Sequence, residues 1–120
     1  MRDYRRYEVW RKSYAVTLAL YRLTRKFPAD ERFGLTSQMR RAAVSIPSNF
    51  AEGMSRRSER DRARFVYMAV GSANELEVQL ELSADLDYLG RDSYKSIRDQ
   101  LREVRRMLVG LIRALERTAG

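Results

Sequence analysis

The sequence predicts an all-α protein, an antiparallel up-down-up-down four-helix bundle. Three observations carry that prediction. Apolar residues recur every three or four positions along most of the chain, and no stretch alternates like a half-buried strand. Only two prolines and six glycines interrupt 120 residues, and Pro28, Gly34 and Gly90 fall between the periodic segments. Hydrophobic residues make up 44% and charged residues 33%, enough apolar surface for one core with a strongly solvated exterior. That length fits one domain over residues 1–120.

The first helix is expected from Arg5 to Lys26. Val9, Ser13, Val16, Leu20, Leu23 and Phe27 keep a 4-3-4-3-4 spacing, and Trp10, Tyr14, Thr17 and Tyr21 form a second stripe beside them. Phe27-Pro28 ends it, because the residue before proline avoids the α region. Asp30 and Glu31 suit the N-terminus of a short turn opened by Pro28. The second helix is expected over Leu35–Met54 and contains Pro47, which removes one backbone hydrogen bond. The third spans Glu59–Tyr88, opened by a capping box of Ser58 with Asp61. Phe65, Ala69, Ser72, Leu76 and Leu80 mark its inner face, and Gly71-Ser72-Ala73 is a small patch where another helix could approach closely. Gly90 is expected to end this hairpin. The fourth helix, Ser93–Arg117, has the most regular seam: Tyr94, Ile97, Leu101, Val104, Leu108, Leu111 and Leu115.

Cysteine and histidine are both absent. Disulfides, thiol nucleophiles, Cys/His zinc sites and Ser-His-Asp triads are therefore excluded. No metal or other cofactor is expected and no catalytic residue is assigned. No uncharged run approaches the roughly twenty residues of a membrane helix. The charged N-terminus breaks any secretory core, so a cytoplasmic location without membrane attachment is expected.

The net charge is +8, from 21 Arg and 3 Lys against 16 acidic residues. Codon usage accounts for the Arg:Lys ratio as readily as phosphate recognition does, but the excess of charge is a separate fact. Residues 59–90 carry −4, residues 1–26 carry +6, and Glu77, Glu81 and Asp85 share one stripe. The candidate nucleic-acid-binding residues are Arg5, Arg6, Arg56, Arg57, Arg60, Arg64, Arg98, Arg102, Arg105 and Arg106. Arg2, Arg11 and Lys12 add density near the N-terminus, where Tyr4, Tyr7 and Trp10 are interleaved as possible stacking platforms. The bland alternative is a solvated face paired with acids such as Asp61, Asp99 and Glu103.

A second constellation lies on the second helix. Gln38, Arg41, Ser45, Asn49 and Glu52 fall within an arc of about 80° at 100° per residue, bordered by apolar positions. Glu75 of the third helix could face them. The arrangement reads first as a polar network inside the bundle or between subunits. A ligand surface is the second reading, and an active site built on Glu52, Glu75 and Arg41 the third.

The segment Ser37-Gln38-Met39-Arg40-Arg41-Ala42-Ala43-Val44-Ser45-Ile46-Pro47-Ser48-Asn49-Phe50-Ala51-Glu52-Gly53 is similar to the signature of the bacterial four-helix-bundle proteins encoded in 23S rRNA intervening sequences. Val9-Trp10-Arg11-Lys12, Phe27-Pro28 with Glu31, and Gly71-Ser72 with Glu75 agree in order and spacing. Val70 departs from the family, where many members have Arg, and Phe50 replaces a common Ile. The resemblance implies a cytosolic bundle assembling as a homopentameric ring. It also implies a fold like that of the accessory proteins of diversity-generating retroelements, and a connection to RNA. Gln38, Arg41, Ser45, Asn49, Glu52 and Glu75 are then family-type polar positions. The expected function is a non-enzymatic homo-oligomer that binds nucleic acid, structured RNA above all, through an Arg-rich surface. The alternative is a protein-interaction scaffold with an unknown partner.

Overall fold

The computed structural model describes residues 3–119. Four helices, α1 (Glu8–Thr24), α2 (Leu35–Met54), α3 (Glu59–Asp85) and α4 (Arg91–Ala119), are accompanied by 3₁₀ turns at Tyr4–Arg6 and Ala29–Glu31. No strand occurs among the described residues. α2 packs on α1 and α3, and α4 packs on α1 and α3.

Each helix contributes one apolar stripe to a common core. Val16 and Leu20 of α1 meet Met39, Ile46 and Phe50 of α2, Val66, Leu76 and Leu80 of α3, and Ile97, Leu101, Val104 and Leu108 of α4, all fully buried. The α4 seam lies where the spacing puts it, except that Ile112 is buried and Leu111 half-buried. On α3 the inner face is rotated from the expected one. Val66, Ala69 and Ala73 are buried, whereas Phe65 and Ser72 sit half-buried at its edge.

The helix ends show where local chemistry decides. Asp3 accepts a hydrogen bond from the Arg5 amide at 3.0 Å, which closes a separate 3₁₀ turn and delays α1 to Glu8. α1 stops at Thr24, short of Lys26, and the Phe27 amide donates back to the Thr24 carbonyl at 3.1 Å. α3 ends at Asp85, short of Tyr88, and Gly90 is not the reason. Asp87 takes the left-handed conformation at φ 62°. The Tyr88 amide bonds to the Ser83 carbonyl (2.9 Å) and the Asp87 amide to the Ala84 carbonyl (3.1 Å), a Schellman closure with Asp in the usual glycine position. Ser58 caps α3 as expected, accepting from the Asp61 amide at 3.0 Å.

Pro47 sits inside the α2 helix. It has no N–H, so the Ala43 carbonyl one turn earlier loses its helical donor. The Thr17 hydroxyl of α1 stands 3.1 Å from that oxygen and 2.9 Å from its own Ser13 carbonyl. The one hydroxyl proton of Thr17 is thus shared between its own helix and the oxygen that the proline leaves without a helical donor.

Of the small patch Gly71-Ser72-Ala73, Ala73 is buried and Ser72 reaches Ser45 of α2 at 2.8 Å, but Gly71 takes no part in a close approach. Gly71 is exposed, and a Cβ there would meet nothing within 4 Å. Gly53 is the crowded position: its Cβ would stand 2.9 Å from the Phe65 Cβ and 3.3 Å from the Arg62 carbonyl.

Two stability predictions follow from these contacts. Thr17→Val should cost about 1 kcal/mol in chemical denaturation by stranding the Ala43 carbonyl. In a Pro47→Ala background, where an amide again reaches that carbonyl, the same change should cost measurably less. Gly53→Val should cost roughly 2–3 kcal/mol through overpacking, whereas Gly71→Ala should be neutral or stabilising by up to about 1 kcal/mol. Equal effects at the two glycines would contradict the packing described.

Candidate nucleic-acid interface

The start of α1, the α2–α3 turn and the end of α4 meet at one end of the bundle. The Tyr7 and Phe50 rings stand 5.2 Å apart edge to face, and the Tyr67 hydroxyl donates to Glu116 at 3.0 Å. Tyr7, Met54, Glu59, Arg62, Leu111 and Leu115 line one small cavity of about 240 Å³ there. Six of the predicted arginines, Arg5, Arg6, Arg56, Arg57, Arg60 and Arg64, come together at this end. With Arg11, Arg62, Arg113 and Arg117 they make ten cations against six carboxylates among the described residues of the segments 3–11, 52–64 and 113–119. Arg2 lies outside the described residues.

The turn that presents them is built by arginine chemistry. Arg62 donates its Nε to the Arg56 carbonyl at 2.9 Å and pairs with Glu59. Arg56 binds Glu52 at 2.6 Å, and its guanidinium lies 4.6 Å from the Phe65 ring centroid. Arg64 approaches the same ring at 4.7 Å and pairs with Asp61 at 3.7 Å. Arg5 lies near the Tyr4 ring and pairs with Asp3. Arg6, Arg57, Arg60, Arg113 and Arg117 are exposed and make no ion pair among the described residues. They are the cations free to meet an external phosphate. A cleft of about 780 Å³ between α3 and α4 is lined by one of them, Arg60, together with Asp61, Arg64, Tyr67 and Glu116.

The four α4 candidates are differently placed. Arg102 and Arg105 both bind Glu77 of α3, at 2.9 and 2.6 Å. Arg98 pairs with Asp99 at 3.1 Å and Arg106 with Glu103 at 2.6 Å. Burial of Glu77 opposes its ionisation, but the hydrogen bonds and charges of the two arginines outweigh it and hold the carboxyl below the ordinary glutamate range. The four α4 arginines are therefore all ion-paired, to three carboxylates, which offsets most of their charge. Glu77 is the hub of this arrangement, and sequence reasoning saw it only as one member of an acidic stripe.

The polar stripe is not inside the bundle. Gln38, Arg41, Glu52 and Glu75 are exposed, and Ser45 and Asn49 half-buried. Ser45 bonds Ser72 of α3 at 2.8 Å, and the Asn49 side-chain amide donates to the Ser45 hydroxyl at 2.8 Å and carbonyl at 2.9 Å. Only that three-residue cluster is a network. Glu52 belongs instead to Arg56, and Gln38, Arg41 and Glu75 face outward. The expectation of an internal network rested on bordering apolar residues, but Val44 on that border is itself exposed.

A second basic surface was not anticipated. Tyr21 of α1, Arg32 and Phe33 of the connection, and Thr36, Ser37, Arg40, Arg41, Val44, Ser45 and Ser48 of α2 line a groove of about 690 Å³ without a single carboxylate. The signal was present in the sequence only as Phe33 next to Arg32 and the pair Arg40-Arg41, but no helical spacing joins Arg32, Phe33 and Tyr21.

Among the described residues no group of acidic side chains is placed to hold a metal ion, and no helix is long and apolar enough to cross a membrane. The family model of the 23S rRNA-intervening sequence protein matches residues 5–110. The chain belongs to the 23S rRNA-intervening sequence protein family. This family protein is similar to a solved structure from Bacteroides thetaiotaomicron, described as a protein with unknown function from the S23 ribosomal protein family. The two are 27% identical and superpose with a TM-score of 0.79, over 87% of this chain and 97% of that one. No curated protein matches it. The matched region takes in the α2 segment Ser37–Gly53, the crowded Gly53–Phe65 contact and the Glu77 hub, and stops before Arg113 and Arg117.

The Glu77 geometry predicts a pH dependence. A carboxyl whose pKa is lower folded than unfolded stabilises fully above its unfolded value, and that contribution is lost as pH falls through the folded one. The intact protein should therefore lose stability on acidification below the ordinary glutamate range. Glu77→Gln should be less stable at neutral pH and show a flatter melting-temperature profile on acidification. Parallel profiles for the two proteins would contradict the hub.

Proposed function

We propose that this family member is a non-enzymatic, self-associating helical bundle that binds nucleic acid, structured RNA above all, through the arginines at one end. The observation that carries the reading is the convergence there of Arg6, Arg57, Arg60, Arg113 and Arg117, exposed and without acidic partners among the described residues. Paired arginines at the same end, on Phe65 and Tyr4, hold the surface in shape around them.

The bundle itself we read as antiparallel, up-down-up-down. The contacts Thr17–Ala43, Ser45–Ser72, Tyr67–Glu116 and Lys12–Glu103 support that order. Self-association is supported by Met68, Val78 and Leu82 along the outer side of α3 and by Leu86 just beyond it, all exposed. A homopentameric ring in the cytoplasm is the form the family resemblance favours. The scaffold reading draws on one observation, the pairing of the four α4 arginines with Glu77, Asp99 and Glu103.

A salt series on a labelled RNA hairpin separates the two. Nucleic-acid binding should persist near physiological salt, with log affinity falling linearly against log salt. Arg57→Gln with Arg60→Gln should weaken binding similarly for hairpins of different sequence and reduce the salt slope by about 2. Binding that vanishes by physiological salt, or that ignores the double substitution, would favour the scaffold.

A further inference from the structure

We propose that the groove between α1 and α2 is a site for an unpaired nucleotide, with the base on Phe33 and the phosphate between Arg40 and Arg41. This goes beyond the basic end in place and in ligand, and rests on the nucleic-acid reading for the polymer that supplies the nucleotide.

Phe33 is 88% exposed, the most exposed large apolar side chain among the described residues. Nothing in the bundle core requires it, and the Arg32 guanidinium stands 5.3 Å from its ring centroid. Across the groove, Arg40 is fixed in direction. Its Nε donates to the Thr24 hydroxyl at 2.9 Å, its Nη2 to the Tyr21 carbonyl at 3.4 Å, and its guanidinium lies 4.6 Å from the Tyr21 ring centroid. These contacts leave its other terminal nitrogen without a protein partner. Arg41 is exposed and forms no ion pair among the described residues. The hydroxyls of Ser37 and Ser48 border the same groove.

The groove thus joins three guanidinium groups, two accessible aromatic rings and several hydroxyls, with no carboxylate in its lining. A simple anion would leave the rings unused, and an apolar group would leave three cations uncompensated. An unpaired nucleotide supplies both a phosphate and a flat face that stacks on aromatic side chains and guanidinium planes. A duplex supplies the phosphate alone, since its bases are stacked away. Arg41 and Ser45, family-type polar positions of the stripe, acquire a place in this site.

The test compares two labelled RNA hairpins that differ only in an unpaired overhang carrying 2-aminopurine. The intact protein should bind the overhang form roughly tenfold more tightly than the blunt form, with a change in 2-aminopurine emission. Phe33→Ser should bring that ratio close to one, and Arg41→Gln should reduce it, while blunt-hairpin affinity stays unchanged. Both side chains are exposed, so folding should survive either substitution. Wild-type binding of both hairpins with a ratio of one overturns the groove site but leaves the basic end standing. A ratio insensitive to both substitutions also overturns the groove. Failure to bind either hairpin overturns the nucleic-acid reading as a whole. A Phe33→Ser change in mass by light scattering, with the overhang ratio intact, would assign the groove to a second copy of the chain and overturn the nucleotide site.

Discussion

Pro47 places one carbonyl in the protein interior without a helical donor, and the contact that satisfies it fixes how the first two helices meet. Ala43 is fully buried, so water is no ready substitute for the Thr17 hydroxyl. Once Thr17 is opposite Ala43, the rest of the α1–α2 alignment follows. Thr24 falls beside Arg40 at one end and Tyr7 beside Phe50 at the other. The first pairing orients an arginine into the groove. The second ties the charged 3₁₀ turn at Tyr4–Arg6 to the α2–α3 turn. A proline that helix propensity alone would reject is therefore tied to both surfaces for which a role is proposed.

The acidic residues sort the arginines. Glu77 takes two α4 arginines, and Asp99 and Glu103 take two more, so the long helix shows the outside a mixed surface. These pairs are partly exposed, and their energetic contribution is modest. Their more important effect is to subtract charge from one side of the bundle. At the basic end four of the six carboxylates bind Arg5, Arg56, Arg62 and Arg64, which shape the turns, and other arginines are left free. Paired and unpaired arginines thus differ in role, although their spacing in the sequence does not distinguish them.

Much of the fold was legible because helical periodicity is a local property. α2 spans Leu35–Met54 as expected, and the α4 seam follows its spacing. What failed was also local in kind. Asp87, and not the nearby Gly90, took the left-handed position, because Asp tolerates that conformation well enough for a Schellman closure. The α3 inner face was assigned to Phe65 and Ser72, one position away from Val66 and Ala73, since a stripe of small residues fixes direction poorly. The site was harder to read. Charge counts found the six arginines of the basic end but could not see that Glu77 would remove Arg102 and Arg105. The groove joins residues 21, 32, 33, 40 and 41 across two helices and a connection, and only the packing of α1 on α2 brings them together.

Net charge is consequently a poor guide to where this protein presents uncompensated positive charge. The described chain extends 46 Å along its longest axis, whereas screening at physiological salt acts over about 8 Å. Charges at the two ends therefore act separately on a ligand. Each surface must be judged by its own balance of cations and carboxylates, with ten against six at one end and none opposing three arginines in the groove lining. A rigid duplex that satisfies the first need not reach the second. A folded RNA with a single-stranded extension has the means to occupy both, as duplex phosphates and an exposed base are the two chemistries the surfaces offer to complement.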